Sequence, residues 1–268
     1  MTARAARRDV ASRVPCLLAS PASVVFIAIT GSAPRGFHMF SATHALMVLA
    51  FILIASGVIS TGLRYRDTLH QRRFERALGI AGMIIWIMAN AYGFLPGVFA
   101  WEQSLPIHVC DLAALAGPVV LLQPNPAPWL RAWLYFAGLG LCTHAFITPI
   151  LAEGPGDPRF WGFWSGHFVI LIAALYDLIV RRWRPTWREW RIAIMLSAAY
   201  LAAILPLDLV FDWNYAYVGR ERAAGTLIEV LGPWPLRIVI IAALSLIAYT
   251  ALMLPWAGRW LSGPRTNA

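Results

Sequence analysis

The chain has 268 residues, of which 59% are hydrophobic and 13% are charged, and its mean hydropathy is +0.64. These values exclude an ordinary soluble domain and predict a helical protein that crosses a membrane several times. At ~20 residues per crossing, the length accommodates about seven or eight spans and leaves no room for a second, soluble domain. The net charge is +9, and the 22 basic residues are all arginine. They cluster in particular loops, which indicates membrane orientation and argues against nucleic-acid binding.

Seven apolar runs predict an all-α fold, a polytopic transmembrane helical bundle. The predicted spans are about 44–63, 78–95, 107–123, 131–149, 160–180, 192–211 and 236–254. Arginines concentrate in the loops 64–76 and 181–191 and after the last span, whereas the loops near 96–106, 150–159 and 212–235 contain few. By the positive-inside rule, the arginine-rich loops and the C-terminus are expected to be cytoplasmic.

The first 35 residues have a basic start followed by an uncharged stretch from Val14 to Pro34. Such a segment could be a signal peptide, an eighth span, or the result of an overextended start codon with Met39 close to the true beginning. We therefore divide the chain into an N-terminal extension, residues 1–35, and a single transmembrane helical domain, residues 36–268.

A thiol, an imidazole and a carboxylate lie together at the start of the third predicted span, in Cys110, His108 and Asp111. Ionisable groups inside a span are costly and are functional candidates by default. His167 lies in the fifth span at a similar inferred depth, about 10 Å from the outer end at a rise of 1.5 Å per residue. A cysteine and a histidine at one depth on different helices are the minimum parts for thiol-based acyl chemistry. The start of a helix also favours the thiolate form of a cysteine.

Most other polar residues of the spans fall in the same outer half of the predicted bundle, namely Asn90, Cys142, His144 and Asp208. Asp177 is the exception, because it lies near the cytoplasmic end of the fifth span. The outer loop 212–235 contains Asn214 and Tyr215 and could cap the site from outside. The polar groups of the spans therefore converge on one side of the membrane.

Structural alternatives exist for each of these residues. A cysteine in an apolar helix is usually a small hydrophobic side chain, and Cys110 and Cys142 could also form a disulfide on the oxidising outer side. His108 and Asp111 are three residues apart and could pair with each other. His144 could bond a neighbouring carbonyl, and His167 could join helices without any chemistry. Three cysteines without a metal-binding motif predict no metal and no cofactor.

Four blocks of the sequence resemble the YwaF-like integral membrane proteins, which are related to the transmembrane protein 164 acyltransferase family. They are FHMFSATH at 37–44, LPIHVCD at 105–111, FITP with PRFW and SGH between 146 and 167, and NY with LGPWP between 214 and 235. The resemblance covers about residues 36–256. It implies a multi-pass protein of the bacterial inner membrane, in which Cys110 is the nucleophile and His167 its partner in moving a fatty acyl chain between phospholipids.

The sequence therefore predicts a Cys–His acyltransferase, or a lipid hydrolase, that works through a thioester on the outer-leaflet side. Its expected partners are membrane lipids, as acyl donor and lysolipid acceptor. Supporting or binding roles are predicted for His108, Asp111, His144, Asn214 and Tyr215. The alternative functions are a non-enzymatic transporter or lipid-binding protein, for which polar positions should line a path across the membrane, and a structural subunit.

Overall fold

The computed structural model describes residues 36–220 and 228–261, so the N-terminal extension lies outside the described residues. Within these two ranges the chain is helical and has no strand. The α-helices are α1 (Ala42–Arg64), α2 (Leu69–Gly93), α3 (Trp101–Ser104), α4 (Val109–Leu122), α5 (Pro128–Trp133), α6 (Pro158–Ile179), α7 (Trp187–Phe211) and α8 (Leu236–Leu261). A π-helix (Leu134–Leu139) follows α5, and 3-10 helices form at Cys142–Phe146, Tyr215–Tyr217 and Glu229–Leu231.

Five helices are long and apolar enough to cross a membrane: α1, α2, α6, α7 and the part Leu236–Ala257 of α8. Only 11% to 17% of the most apolar stretch of α1, α2, α7 and α8 is buried inside the protein, compared with 50% for α6. Long apolar faces directed outward are compatible with lipid and not with water. The protein is therefore a multi-pass membrane protein arranged around α6.

The predicted count of seven spans is not confirmed. The predicted span 107–123 corresponds to the 14-residue helix α4, and the predicted span 131–149 is broken into α5, the π-helix and a 3-10 helix. Helix α2 also begins at Leu69 rather than near residue 78. Its first turns contain charged residues, and these are paired: Arg72 bonds to Glu75, and Glu75 also accepts a hydrogen bond from Arg181.

Small residues allow α2, α4 and α6 to pack closely at the centre of the molecule. A Cβ atom added to Gly82 would lie 2.9 Å from Cγ of Pro118, and one added to Gly117 would lie 3.0 Å from Cβ of Ala173. In lipid, helices associate through such close packing because the hydrophobic effect does not distinguish a neighbouring helix from an acyl chain. Close packing therefore holds α4 and α6, the two helices that contain the candidate site residues Cys110 and His167, in a fixed relative position.

The loops predicted to be outside meet at one end of the bundle, which we call the outer end. The backbone N–H of Phe37 donates to the carbonyl of Ala152 at 3.0 Å. The hydroxyl of Tyr215 donates to the carbonyl of Trp101 at 2.7 Å. The first contact joins the segment before α1 to the loop that precedes α6. The second joins the loop after α7 to the segment after α2. All four segments were predicted to lie on the same, outer side of the membrane.

A buried ion-pair network closes the opposite, inner end of the bundle. Arg181 donates from Nε and Nη2 to the two carboxylate oxygens of Glu75, at 2.9 and 2.8 Å. Both side chains are almost completely buried. Arg181 also donates to the carbonyls of Val120 and Leu121, at 2.8 Å each. Because these carbonyls lie at the C-terminus of α4, the cation satisfies acceptors that the helix itself leaves open.

Asp177 extends this inner network. Its carboxylate accepts a hydrogen bond from Arg131 at 3.0 Å and lies 3.8 Å from Arg181. The sequence placed Asp177 apart from the other polar groups of the spans, and the structure agrees, because this carboxylate is held in ion pairs at the inner end.

Candidate active site

Cys110 lies in the first turn of α4, and its side chain is half-buried. Cys110 and His167 of α6 line the same cavity, and Cys110 packs against the buried cluster that contains Cys142. Both cysteines are free thiols. The structure therefore brings together the two residues that the sequence assigned to chemistry, and it adds Cys142 as their neighbour.

The imidazole of His167 is oriented by its own helix. Nδ1 lies 2.7 Å from the carbonyl oxygen of Phe163, and the His167 and Phe163 rings contact each other in a tilted arrangement, with centroids 4.4 Å apart and planes at 40°. A carbonyl oxygen can only accept a hydrogen bond, so Nδ1 carries the proton in the neutral ring. Nε2 then has a free lone pair, which is the arrangement required for the imidazole to take a proton from the Cys110 thiol.

Helix α4 starts late because an extended segment precedes it. Pro106, which could have begun the helix, lies in this segment instead. The backbone N–H of Leu105 donates to the hydroxyl of Tyr215 at 3.2 Å. The hydroxyl of Tyr200 donates to the carbonyl of Ile107 at 2.8 Å. Non-helical backbone at membrane depth is tolerated where its polar groups are satisfied by protein, so this segment can place the start of α4 inside the bundle.

His108 and Asp111 pair locally, as one reading of the sequence suggested. His108 caps α4, and its backbone N–H donates to Oδ2 of Asp111 at 3.1 Å. The His108 ring contacts the ring of Tyr215 in a tilted arrangement, with centroids 4.7 Å apart. Both His108 and Asp111 also line the cavity described below. Their contacts fix the first turn of α4 and, with it, the position of Cys110.

The remaining predicted residues are divided between the cavity and the outer loop. His144 lines the cavity, and its Nδ1 contacts the carbonyl of Leu141 in its own turn, as the sequence allowed. Asn214 accepts a hydrogen bond from the N–H of Gly219 at 3.1 Å. Tyr215 is completely buried, and burial raises its pKa to about 12, so it stays a neutral hydroxyl. Asn214 and Tyr215 shape the loop beside the site and do not line the cavity.

A cavity of about 980 Å³ surrounds Cys110 and His167, at the upper end of the range of roughly 300–1,000 Å³ for ligand sites. Its polar lining on one side comes from α2, α4 and α6 and the outer loop. Helices α7 and α8 line it mainly with small and apolar residues, including Ile194, Ala198, Leu201, Ile238, Ile241 and Ala242, and also with the hydroxyl side chains of Ser197, Tyr200, Ser245 and Tyr249.

The cavity reaches the surface in two directions. Arg159, whose side chain is about half exposed, lines it at the outer end of α6. Leu244 and Leu246 of α8 also line it, and both are exposed on the apolar outside of the bundle. An elongated ligand could therefore enter from the surrounding lipid and keep a polar end at the outer mouth.

Sequence reasoning missed three groups that shape this site: Cys142, Tyr200 and Arg159. Cys142 was placed at the depth of Cys110 but was interpreted as a small hydrophobic side chain or a disulfide partner, and the structure has both thiols free. Tyr200 lies in the middle of an apolar span, where nothing in the local pattern marks it. Arg159 was counted only as one of the few arginines of the outer loops.

The fold and the site define a multi-pass helical membrane protein with a thiol–imidazole pair inside a lipid-accessible cavity. The chain belongs to the TMEM164 family, whose model matches residues 39–254. Comparisons with curated proteins and with solved structures give no match. The matched region contains Cys110, His167 and all the other predicted site residues, and it confirms the family resemblance drawn from the sequence.

Tyr215 is expected to stabilise the outer end through its hydroxyl. Replacement of Tyr215 by phenylalanine removes the partner of the Leu105 N–H and of the Trp101 carbonyl, and should lower the free energy of unfolding by about 1–3 kcal/mol. Unfolding in detergent would measure this loss. The control is Tyr65→Phe, because Tyr65 is exposed at the inner end. Equal losses in the two variants would show that these hydrogen bonds contribute nothing specific.

Proposed function

We propose that this protein is a membrane acyltransferase in which Cys110 attacks an acyl ester of a phospholipid and His167 acts as general base and then as general acid. The observation that carries the proposal is that Cys110, at the start of α4, and His167, on α6, line one cavity, which exposed leucines of α8 also line. A buried thiol, a buried imidazole or a cavity is common by itself, but the three together supply a nucleophile, a base and space for an acyl chain.

The reaction has two halves. His167 takes the proton of the Cys110 thiol as sulfur bonds to the ester carbonyl carbon, and the oxyanion forms beside the first turn of α4. Backbone N–H groups of a first turn have no partner within their helix and can stabilise that charge. Collapse breaks the C–O bond, and His167 returns the proton to the leaving oxygen, which releases a lysophospholipid. A second lysophospholipid hydroxyl then attacks the thioester, again with His167 as base, and restores the thiol.

The walls of the cavity fit this use. The apolar wall of α7 and α8 can hold an acyl chain, whereas the polar groups cluster around Cys110. A site with one polar centre and otherwise apolar walls is the usual form of a site for a largely apolar ligand. Water reaching the thioester in place of a lysolipid would give hydrolysis, so the same site could also release free fatty acid.

The proposal includes seven membrane crossings, with α4 and the broken helix as the two additional ones. Helix α4 runs from the extended segment at the outer end to the carbonyls bonded by Arg181 at the inner end. The broken helix runs from Arg131, which pairs with Asp177, to Phe146, whose carbonyl lies 3.0 Å from Nε2 of His44. Seven crossings fit a cytoplasmic C-terminus in a bacterial inner membrane and a site on the outer-leaflet side.

Transport fits the structure less well. Glu75 and Arg181 are buried together between α2, α4 and the end of α6, and neither residue lines the cavity. Glu75 and Arg181 are therefore bonded to each other, and Arg181 is also bonded to the C-terminal carbonyls of α4. A path across the membrane would have to break this network, whereas acyl transfer needs access from the outer end and from lipid only.

The proposal is tested with purified protein in vesicles that contain a phospholipid with a labelled acyl chain and an unlabelled lysophospholipid. The expected product is labelled phospholipid formed from the lysolipid, and labelled free fatty acid measures the share of hydrolysis. Wild-type protein that leaves the donor intact and forms neither product would contradict the proposal.

A further inference from the structure

Arg159 is the one arginine among the described residues that line the cavity. It lies at the outer end of α6, on the same lining face as His167, eight residues earlier in the helix. At 1.5 Å per residue the two positions are separated by about 12 Å along the helix axis. An arginine side chain directed along the groove, together with the glycerol unit between a phosphate and an acyl ester, can span this separation.

The groove between Arg159 and His167 has space for that glycerol unit. The lining face of α6 contains Gly162 and Gly166 between the two side chains. A Cβ atom added to Gly166 would meet no atom within 4 Å, and one added to Gly162 would make only ordinary contact, at 3.4 Å, with Ala89. The surface of α6 is therefore open at Gly166 and free of large side chains at Gly162, between Arg159 and His167.

One of the two present partners of Arg159 is exchangeable. Arg159 binds Asp157 with two donors, Nε at 3.1 Å and Nη2 at 2.8 Å, and its Nη1 lies 2.8 Å from Glu153; the side chain is about half exposed. The guanidinium group holds the pKa of Asp157 below its usual range. The exposed single contact between Nη1 and Glu153 contributes little to stability, so another anion can replace Glu153 at small cost. A phosphodiester suits the planar, two-pronged donor geometry of arginine.

We propose that Arg159 binds the phosphate of a glycerophospholipid and thereby places the acyl ester of that lipid at Cys110. This rests on the proposed function for the role of the lipid as acyl donor. It goes further in naming a headgroup site and in separating phospholipids from neutral lipids such as diacylglycerol and monoacylglycerol. Glu153 competes with the phosphate for the guanidinium group, and it is close enough to meet a cationic headgroup that follows the phosphate.

The test measures binding without chemistry, in a Cys110→Ala background. Its probes are lysophosphatidylglycerol and monoacylglycerol with the same brominated acyl chain, which quenches tryptophan fluorescence in neutral detergent. The phosphorylated lipid is expected to bind about tenfold more tightly, as charge-assisted hydrogen bonds allow. Arg159→Gln should abolish the difference, Glu153→Gln should increase it, and Arg73→Gln, an exposed arginine at the inner end, should leave it unchanged.

The outcomes separate the two proposals. Equal affinities for the two lipids, or an unchanged preference in Arg159→Gln, would overturn the headgroup site even if acyl transfer is observed. Competition by glycerol 3-phosphate as strong as that by the lysophospholipid would assign the site to a soluble phosphate and overturn the lipid assignment. A preference that depends on Arg159, in a protein that transfers no acyl group, would retain the headgroup site and remove the enzymatic proposal.

Discussion

Replacement of His167 by glutamine is expected to lower the rate of Cys110 acylation by about 10²- to 10⁴-fold, the usual contribution of a general base. Glutamine can still donate to the carbonyl of Phe163, but it cannot take the proton of the thiol. The initial rate of acyl transfer from phospholipid vesicles measures the effect. Because His167 lies on the well-packed helix α6, retention of fold is checked by thermal unfolding.

The matched control for this variant is His70→Gln. His70 is an exposed histidine at the inner end of α2, away from the cavity, and should leave the rate of transfer unchanged. A folded His167→Gln protein that transfers acyl groups at the rate of the control would show that the imidazole is only a link between helices.

Replacement of Arg181 by methionine is expected to destabilise the protein by about 3–5 kcal/mol. The reason is that Glu75, only 1% exposed, loses the cation that bonds both of its carboxylate oxygens and keeps only Arg72, on Oε2, and Gln71, on Oε1. The C-terminal carbonyls of α4 lose a donor at the same time. Unfolding in detergent measures the change in free energy, and the control is Arg73→Met, because Arg73 is exposed in the same region.

The double variant Glu75→Gln/Arg181→Met provides a second check. If the loss comes from a buried carboxylate whose main cation is missing, removal of that charge should recover part of the loss, and the two single effects should not add. A loss within about 0.5 kcal/mol of the control, typical of surface substitutions, would mean that the network does not hold the inner end together.

The presence of Cys110 and His167 in one site could be foreseen because both residues interrupt apolar runs and the arginine distribution assigns a depth to each. The broken helix at 128–146 could not be foreseen in the same way. Hydropathy reports composition, whereas the change from α to π and 3-10 geometry after Trp133 is a change in hydrogen bonding. For the same reason, the late start of α4 depends on distant hydroxyl groups, those of Tyr200 and Tyr215.

The inner network was hidden for a different reason. Arg181 was interpreted as one of the arginines of a cytoplasmic loop, as the positive-inside rule expects, and Glu75 was given no role. The two residues of this ion pair are 106 positions apart in the sequence. Local sequence gives the depth of a charged group but not the identity of its partner, so a long-range ion pair emerges only from the packed structure.

The most direct test of the central claim is the intact mass of the purified protein after incubation with phospholipid vesicles. The account predicts an added acyl mass on Cys110 that hydroxylamine removes, that is absent in Cys110→Ser, and that still forms on Cys110 in Cys142→Ser. Wild-type protein with a free Cys110 thiol and no acyl adduct, or an adduct that persists in Cys110→Ser, would contradict it.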